Sequence, residues 1–137
     1  MRTTLIVFGF VMVLMAVSCQ SEQEIDFQRY YSAGSVVFQQ HCQNCHGNTG
    51  EGLSALMPPL TDSVFLRKNK ADLACYLQNG LSSPIKVGPK VYDNKMPPSG
   101  LTPVEVAEVL TYVTNSFGNK MGTYNTETVE KNLKTCQ

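Results

Sequence analysis

The sequence predicts an all-α domain in which three or four helices are separated by long loops. Leu73, Tyr76 and Leu77 recur at the i, i+3, i+4 spacing of one helix face. Apolar residues between Val106 and Phe117 repeat with the same period, and we find no recurring alternation of the strand type. The chain of 137 residues is long enough for one such domain.

The first 18 residues have the order of a signal peptide. Arg2 near the start is followed by an apolar run over residues 5–17 and then by the small residue Ser18. The apolar run is shorter than the roughly 20 residues that a membrane-spanning helix needs. We therefore expect residues 1–18 to be removed during export and the mature protein to be periplasmic.

Cys19 follows residues that resemble a bacterial lipobox, in which the cysteine after the cleavage site carries a lipid. Ala16 stands where most lipoboxes have leucine, so a soluble secreted form and an uncleaved anchor stay open as alternatives. Lipidation of Cys19 would make residues 19–32 a polar tether, and we expect a membrane-anchored lipoprotein.

The first two helices after the tether have recognisable ends. The first is expected over residues 33–46 with Ser32 as its N-cap. The second is expected over residues 70–79, and Gly80 stops it.

A long ordered loop and one more helix complete the predicted domain. Residues 81–100 contain too many prolines and glycines for a regular element. Thr102 and Glu105 then form a capping box around Pro103, and the helix that they start ends at Gly118. Residues 120–137 are predicted to be a polar tail with only Met121, Tyr124, Val129 and Leu133 to pack.

Cys42, Cys45 and His46 form a C-x-x-C-H motif at the end of the first predicted helix. One helical turn brings both thiols to one side, where the next imidazole can ligate the iron of a porphyrin. The motif predicts one covalently bound haem c with His46 as proximal ligand. A zinc site would need a fourth ligand, and a thioredoxin-like redox pair would need a preceding buried strand.

A methionine is the expected second iron ligand. The chain has two histidines, and His41 adjoins the motif, where it is poorly placed to reach the opposite face of the iron. We favour Met96 in the Pro-rich loop over Met57, which should pack near His46, and Met121, which follows the last helix. His/Met ligation raises the reduction potential and closes the iron to substrate, which favours an electron carrier over an enzyme.

The remaining cysteines suggest a disulfide. Five cysteines occur in the chain, and the lipid and the haem account for three of them. Cys75 and Cys136 could then pair in an oxidising compartment and tie down the tail. Two unrelated buried thiols remain the alternative.

Charge gives no sign of a nucleic-acid partner. The 11 basic and 11 acidic side chains balance, and no basic stripe is interleaved with aromatic residues. Lys86, Lys90 and Lys95, opposed by Asp93, form the only notable bias. They are either an ordinary solvated surface or a weak docking rim for an acidic partner.

Several short motifs together resemble those of class I c-type cytochromes. They are Gly34 with Phe38, residues 42–47, Pro58-Pro59-Leu60, Asn79-Gly80-Leu81, Met96-Pro97-Pro98, and residues 112–119. The resemblance covers residues 33–119 and is greatest to domains fused to, or partnering, copper nitrite reductases, periplasmic dehydrogenases and haem-copper oxidases.

This resemblance implies a cytochrome c fold with helices wrapped around one haem. It also implies that Gly34 and Phe38 cross the last helix near Tyr112. A carbonyl of the Pro58-Pro59 turn is expected to accept a hydrogen bond from His46.

The expected function is single-electron transfer between periplasmic or membrane-bound redox partner proteins, with no catalysis by the protein itself. A haem enzyme or gas sensor in which Met96 dissociates is one alternative. A zinc-bearing interaction lipoprotein is the other.

Overall fold

The computed structural model describes residues 21–136, and within that range it contains six helices and one β-hairpin. The mainly helical fold confirms the predicted class, although the helices outnumber the three or four expected. In chain order the elements are α1 (Glu22–His41), α2 (Gln43–His46), α3 (Ser63–Lys68), α4 (Leu73–Asn79), β1 (Ile85–Val87), β2 (Lys90–Tyr92), α5 (Pro103–Val113) and α6 (Thr126–Leu133).

Helix α1 begins about three turns earlier than predicted. Ser21 is its N-cap and accepts a hydrogen bond from the Glu24 amide, so the prediction of Ser32 as N-cap was wrong. Nothing between residues 22 and 32 breaks a helix, and Tyr31 fixes this part of α1 to the domain through a 2.9 Å hydrogen bond with Ser116. The segment expected to be a tether is therefore helical from residue 22 onward.

The crossing of α1 and α5 forms the centre of the fold. Gly34 lies directly against the backbone of Glu108 and leaves no room for a β-carbon. The Phe38 ring packs on Tyr112 and on Phe117, with 5.4 Å between ring centroids in each pair. This contact confirms the crossing that the resemblance implied, because only a residue without a side chain lets the two backbones approach so closely.

The middle of the chain contains two elements that the sequence analysis missed. Asp62 caps α3 by accepting hydrogen bonds from the amides of Val64 and Phe65 at 3.0 and 2.9 Å. The segment expected to be an irregular loop contains the antiparallel pair β1 and β2, with Lys86 opposite Val91. Each strand has three residues, which is too short for a visible alternation of apolar and polar side chains.

Helix α5 has the start that the sequence predicts. The Thr102 hydroxyl accepts from the Glu105 amide, and the Glu105 carboxylate accepts from the Thr102 amide at 2.8 Å. The helix ends at Val113, earlier than expected, and a turn continues to Gly118. Its apolar stripe is buried and packs in the core with Phe38 of α1.

The segment after residue 119 folds as part of the same domain. Tyr124 is 1% exposed and Val129 is fully buried, while Met121 and Leu133 pack beside the core. These are the four residues that the sequence predicted to pack. Helix α6 itself was not predicted, because its polar face dominates so short a sequence. No helix within residues 21–136 is both long and apolar enough to cross a membrane.

Candidate functional site

The C-x-x-C-H motif lies at the junction of α1 and α2. The Cys42 amide donates to the Phe38 carbonyl at 2.9 Å, and the His46 amide donates to the Cys42 carbonyl at 3.0 Å. Cys42 and His46 therefore lie on the same side of one helical turn, with Cys45 between them along the chain. Both cysteines are free thiols, Cys42 partly buried and Cys45 exposed.

Burial shifts the pKa values of Cys42 and His46. It raises the pKa of Cys42 to about 11, and the neighbouring Cys45 adds to the effect. It lowers the pKa of His46, and the hydrogen bond to Pro58 opposes only part of that shift.

His46 is oriented by the backbone of the proline turn. Its Nδ1 lies 3.0 Å from the Pro58 carbonyl oxygen, which can only accept, so Nδ1 carries the proton. The lone pair of Nε2 is then available to a metal ion, and the hydrogen bond increases the basicity of the ring. This contact confirms the expectation that a carbonyl of the Pro58-Pro59 turn fixes the ring.

A cavity of about 240 Å³ opens beside the motif. Cys42, Cys45, His46 and Met96 all line it. Most of the remaining lining is apolar and comes from α3, α4, α5 and the hairpin, including Leu66, Leu73, Leu77, Val87, Val109 and Leu110. Such a cavity suits a flat apolar molecule that is held at one edge by sulfur and from one face by nitrogen.

Met96 is held in place by the backbone at the end of α4. Its amide donates to the Leu81 carbonyl at 2.9 Å, and the Leu81 amide donates back to the Met96 carbonyl at 2.8 Å. Gly80 has a φ of 72° and lies against the Met96 carbonyl, so a side chain at this position would displace it. The Met96 backbone is thus fixed, while its half-buried side chain reaches the cavity.

The other residues considered as the second iron ligand are placed differently from Met96; they are Met57, Met121 and His41. Met57 lines a second, smaller cavity of about 80 Å³ that also borders His46 and Met96, but it does not line the larger one. Met121 packs beside the core, and its amide donates to the side chain of Asn115. His41 reaches the rim of the larger cavity although it is exposed.

Cys75 and Cys136 are joined by a disulfide. Their sulfur atoms lie 2.06 Å apart and their Cα atoms 5.5 Å apart. The bridge connects α4 to the end of the chain, so the structure brings together the two cysteines that the sequence analysis paired. Cys19, the expected site of lipidation, lies outside the described residues.

Asn119 is a supporting residue for which the sequence analysis proposed no role. Its side-chain amide donates to the carbonyls of Leu60 at 2.8 Å and Val113 at 3.1 Å. Leu60 follows the Pro58-Pro59 turn, and its own amide donates to the Gly50 carbonyl. The only signal in the sequence was the place of Asn119 in one of the motifs shared with c-type cytochromes.

The fold and the site together define a class of protein. Proteins of this class enclose a flat cofactor in a largely apolar cavity with a histidine at its wall. Within residues 21–136 the structure gathers no cluster of three or more His, Cys, Asp or Glu side chains that could hold a metal ion, so the zinc alternative gains no support. The model of the family described as Cytochrome c matches residues 31–116, more than half of the chain. The chain therefore belongs to the cytochrome c family. No curated protein matches it significantly.

Membership of this family establishes a covalently bound c-type haem and a general role in electron transfer. The residues present fit that cofactor. Two thiols one turn apart can form thioether bonds, an oriented Nε2 can ligate iron, and the apolar lining can cover the porphyrin faces.

Proposed function

We propose that the protein is a single-electron carrier with one six-coordinate haem c. In this proposal Cys42 and Cys45 attach the haem, and His46 and Met96 are the axial ligands. The bound haem supplies one iron that cycles between the ferrous and ferric states. The protein contributes the ligands and the apolar surroundings that tune the potential.

The observation that carries this proposal is the lining of one cavity by all four residues. Cys42, Cys45, His46 and Met96 line the same 240 Å³ cavity, whereas Met57 and Met121 do not. A thioether sulfur is a soft ligand that stabilises ferrous iron and raises the potential relative to a second imidazole. With both axial positions filled, the iron has no open position for substrate, so we expect no catalysis by the protein itself.

Optical spectra of the matured protein test the ligands. Met96→Ala should abolish the weak long-wavelength absorption band of methionine-ligated ferric haem, while the matched variants Met57→Ala and Met121→Ala should retain it. If Met96→Ala retains the band and one of the controls loses it, the methionine replaced in that control is the ligand. A colourless wild-type product would contradict the haem proposal altogether.

We further propose that redox partner proteins dock on the side that carries the hairpin. Lys86 and Val91 are cross-strand neighbours and both are exposed, Val91 at 64%. The loop with exposed Leu53 and Leu56 is joined to the same region, because the Asn94 side chain donates to the Leu56 carbonyl at 3.1 Å. Apolar groups beside lysines suit a small transient interface with an acidic partner.

Charge reversal tests this face with small inorganic oxidants as probes. The triple change Lys86→Glu, Lys90→Glu, Lys95→Glu should slow oxidation by anionic ferricyanide about tenfold at low ionic strength and speed oxidation by a cationic cobalt complex. The matched control is Lys120→Glu, Lys131→Glu, Lys134→Glu, which changes the net charge equally on residues near the C-terminus. Equal effects of the two triple variants would contradict a local docking face.

We also propose that the mature protein is a periplasmic lipoprotein anchored through Cys19. The signal-peptide order of residues 1–18 and the lipobox-like residues before Cys19 support this proposal. Cys19→Ser should move the protein from the membrane fraction to the soluble fraction, with Gln23→Ala at a nearby exposed position as the control. Unchanged partitioning of Cys19→Ser would exclude lipid anchoring at this residue.

A further inference from the structure

The segment after α5 returns across the domain and closes on α4. Tyr124 is almost completely buried, and its hydroxyl donates to the Lys70 carbonyl at 3.1 Å. Its amide donates to the Thr111 hydroxyl of α5 at 2.9 Å. Residues 124–136, named here the C-terminal latch, therefore begin at a fixed point between α5 and the start of α4.

The latch ends on α4. Val129 of α6 is fully buried and belongs to the same core cluster as Leu73 and Ala74. The disulfide between Cys75 and Cys136 then fixes the last turn of the latch to the middle of α4. Helix α4 thus contacts both the latch, through Cys75, and the haem cavity, which Leu73 and Leu77 line.

Helix α4 depends on such packing for its position. It has seven residues, and Asp72 at its N-cap makes no side-chain capping hydrogen bond. Isolated helices of this length are unstable in water, because few hydrogen bonds follow the costly first turn. Tertiary contacts must therefore hold α4, and the latch supplies part of them.

The carboxyl end of α4 carries the segment that contains Met96. The Ser99 amide donates to the Leu77 carbonyl at 2.9 Å, and Leu81 and Met96 exchange two backbone hydrogen bonds. A displacement of α4 would move these partners and with them the Met96 backbone. The contacts form a continuous path from the disulfide to the distal side of the cavity.

We propose that the C-terminal latch is a positioning device for Met96, acting through α4. The latch lies beyond residues 31–116, the part of the chain that the family model matches, so it is an addition to the shared domain. Its consequence for iron ligation rests on the proposed function, in which Met96 is a ligand. The effect of the latch on the position of the Met96 backbone does not rest on the proposed function.

Amide hydrogen exchange in the ferrous holoprotein measures this effect. In Cys75→Ser/Cys136→Ser, exchange at the amides of Leu81, Met96 and Ser99 should speed up on the order of tenfold relative to Leu110 in the core of α5. The control Val106→Ala lowers stability at a fully buried site of α5 that does not line the cavity. It should speed exchange at all four amides together.

Unchanged exchange at Leu81, Met96 and Ser99, or a change equal to that at Leu110, would overturn the proposal. A double variant that fails to mature is replaced by wild-type holoprotein. In that protein a dithiol reduces the bridge to two thiols, and iodoacetamide then alkylates Cys75 and Cys136. In the alkylated protein, too, unchanged exchange at Leu81, Met96 and Ser99, or a change equal to that at Leu110, would overturn the proposal. Absence of the methionine absorption band in the wild type would contradict the proposed ligation, while the exchange rates would still decide the latch.

Discussion

The side-chain amide of Asn119 donates a hydrogen bond of 2.8 Å to the carbonyl of Leu60, two residues after the carbonyl that orients His46. The same amide donates to Val113, at the end of α5. The loop that orients the His46 imidazole is therefore attached to the last helix of the shared domain. Asn119 is 2% exposed, so water cannot easily replace these bonds.

Asn119→Ala should lower the free energy of unfolding by about 1–3 kcal/mol, because it takes this donor from the buried carbonyl of Val113 and the part-buried carbonyl of Leu60. Denaturant unfolding of the ferric holoprotein measures the change. Asn48→Ala, at an exposed position, is the control and should stay within about 0.5 kcal/mol of wild type. Equal stabilities of the two variants would show that Asn119 does not hold the loop.

Gly34→Ala should destabilise the protein although alanine is the better helix former. A β-carbon at this position would overlap the Glu108 carbonyl and come within 2.9 Å of the Tyr112 β-carbon. Forcing α1 and α5 apart costs about 1–3 kcal/mol or more, which exceeds the gain of roughly 1 kcal/mol in helix propensity. Thermal unfolding should show a lower Tm, whereas Gln40→Ala at an exposed position of α1 should change it little. A raised Tm for Gly34→Ala would contradict the close crossing.

The elements predicted correctly from the sequence are those with local chemical signals. The capping box of Thr102 and Glu105 and the turn at Pro58 each leave a recognisable pattern within a few residues. The hairpin and α6 leave none, because three-residue strands and a largely polar eight-residue helix depend on tertiary contacts for stability. The start of α1 was misplaced because the sequence analysis took Ser32 as the cap, although Ser21 followed by Glu24 has the S-x-x-E spacing of a capping box and Ser32 does not.

In the candidate site, too, the features with a local sequence pattern could be predicted and the others could not. The motif of Cys42, Cys45 and His46 could be predicted because the C-x-x-C-H spacing is the one that attachment of a c-type haem requires. The bonds that join Met96 to Leu81 and Ser99 to Leu77 could not, since they connect backbone groups whose side chains play no part. The Asn119 contact joins residues far apart in sequence, which no local pattern reports.

Glu105→Gln should lower stability at neutral pH but not in acid. Hydrogen bonds from the Thr102 hydroxyl and amide hold the pKa of Glu105 below its ordinary value. A depressed native pKa means that the stabilisation is present above the pKa of the unfolded chain and is lost as the pH falls through the native pKa. Glutamine keeps the neutral hydrogen bonds but not the charge.

The difference in Tm between wild type and Glu105→Gln, measured from pH 7 downward, should therefore shrink toward zero below the ordinary carboxyl pKa. Glu130→Gln, on the exposed side of α6, controls for the loss of one negative charge. A difference that is constant with pH would contradict a role for the Glu105 carboxylate.

Gly80→Ala should destabilise the protein and, on the proposed ligation of the iron by Met96, should also weaken the absorption band of methionine-ligated ferric haem. Gly80 has a φ of 72°, where an L-residue with a side chain is strained by about 1–2 kcal/mol. Its β-carbon would also overlap the Met96 carbonyl and approach Pro98, so the distal segment must move away from α4. Gly100→Ala separates the two effects, because Gly100 has a φ of 70° and open space around the missing β-carbon. Gly100→Ala should therefore lower Tm by the backbone strain alone and leave the band intact. Equal spectra and equal Tm values for the two variants would show that contact between Gly80 and Met96 does not position Met96.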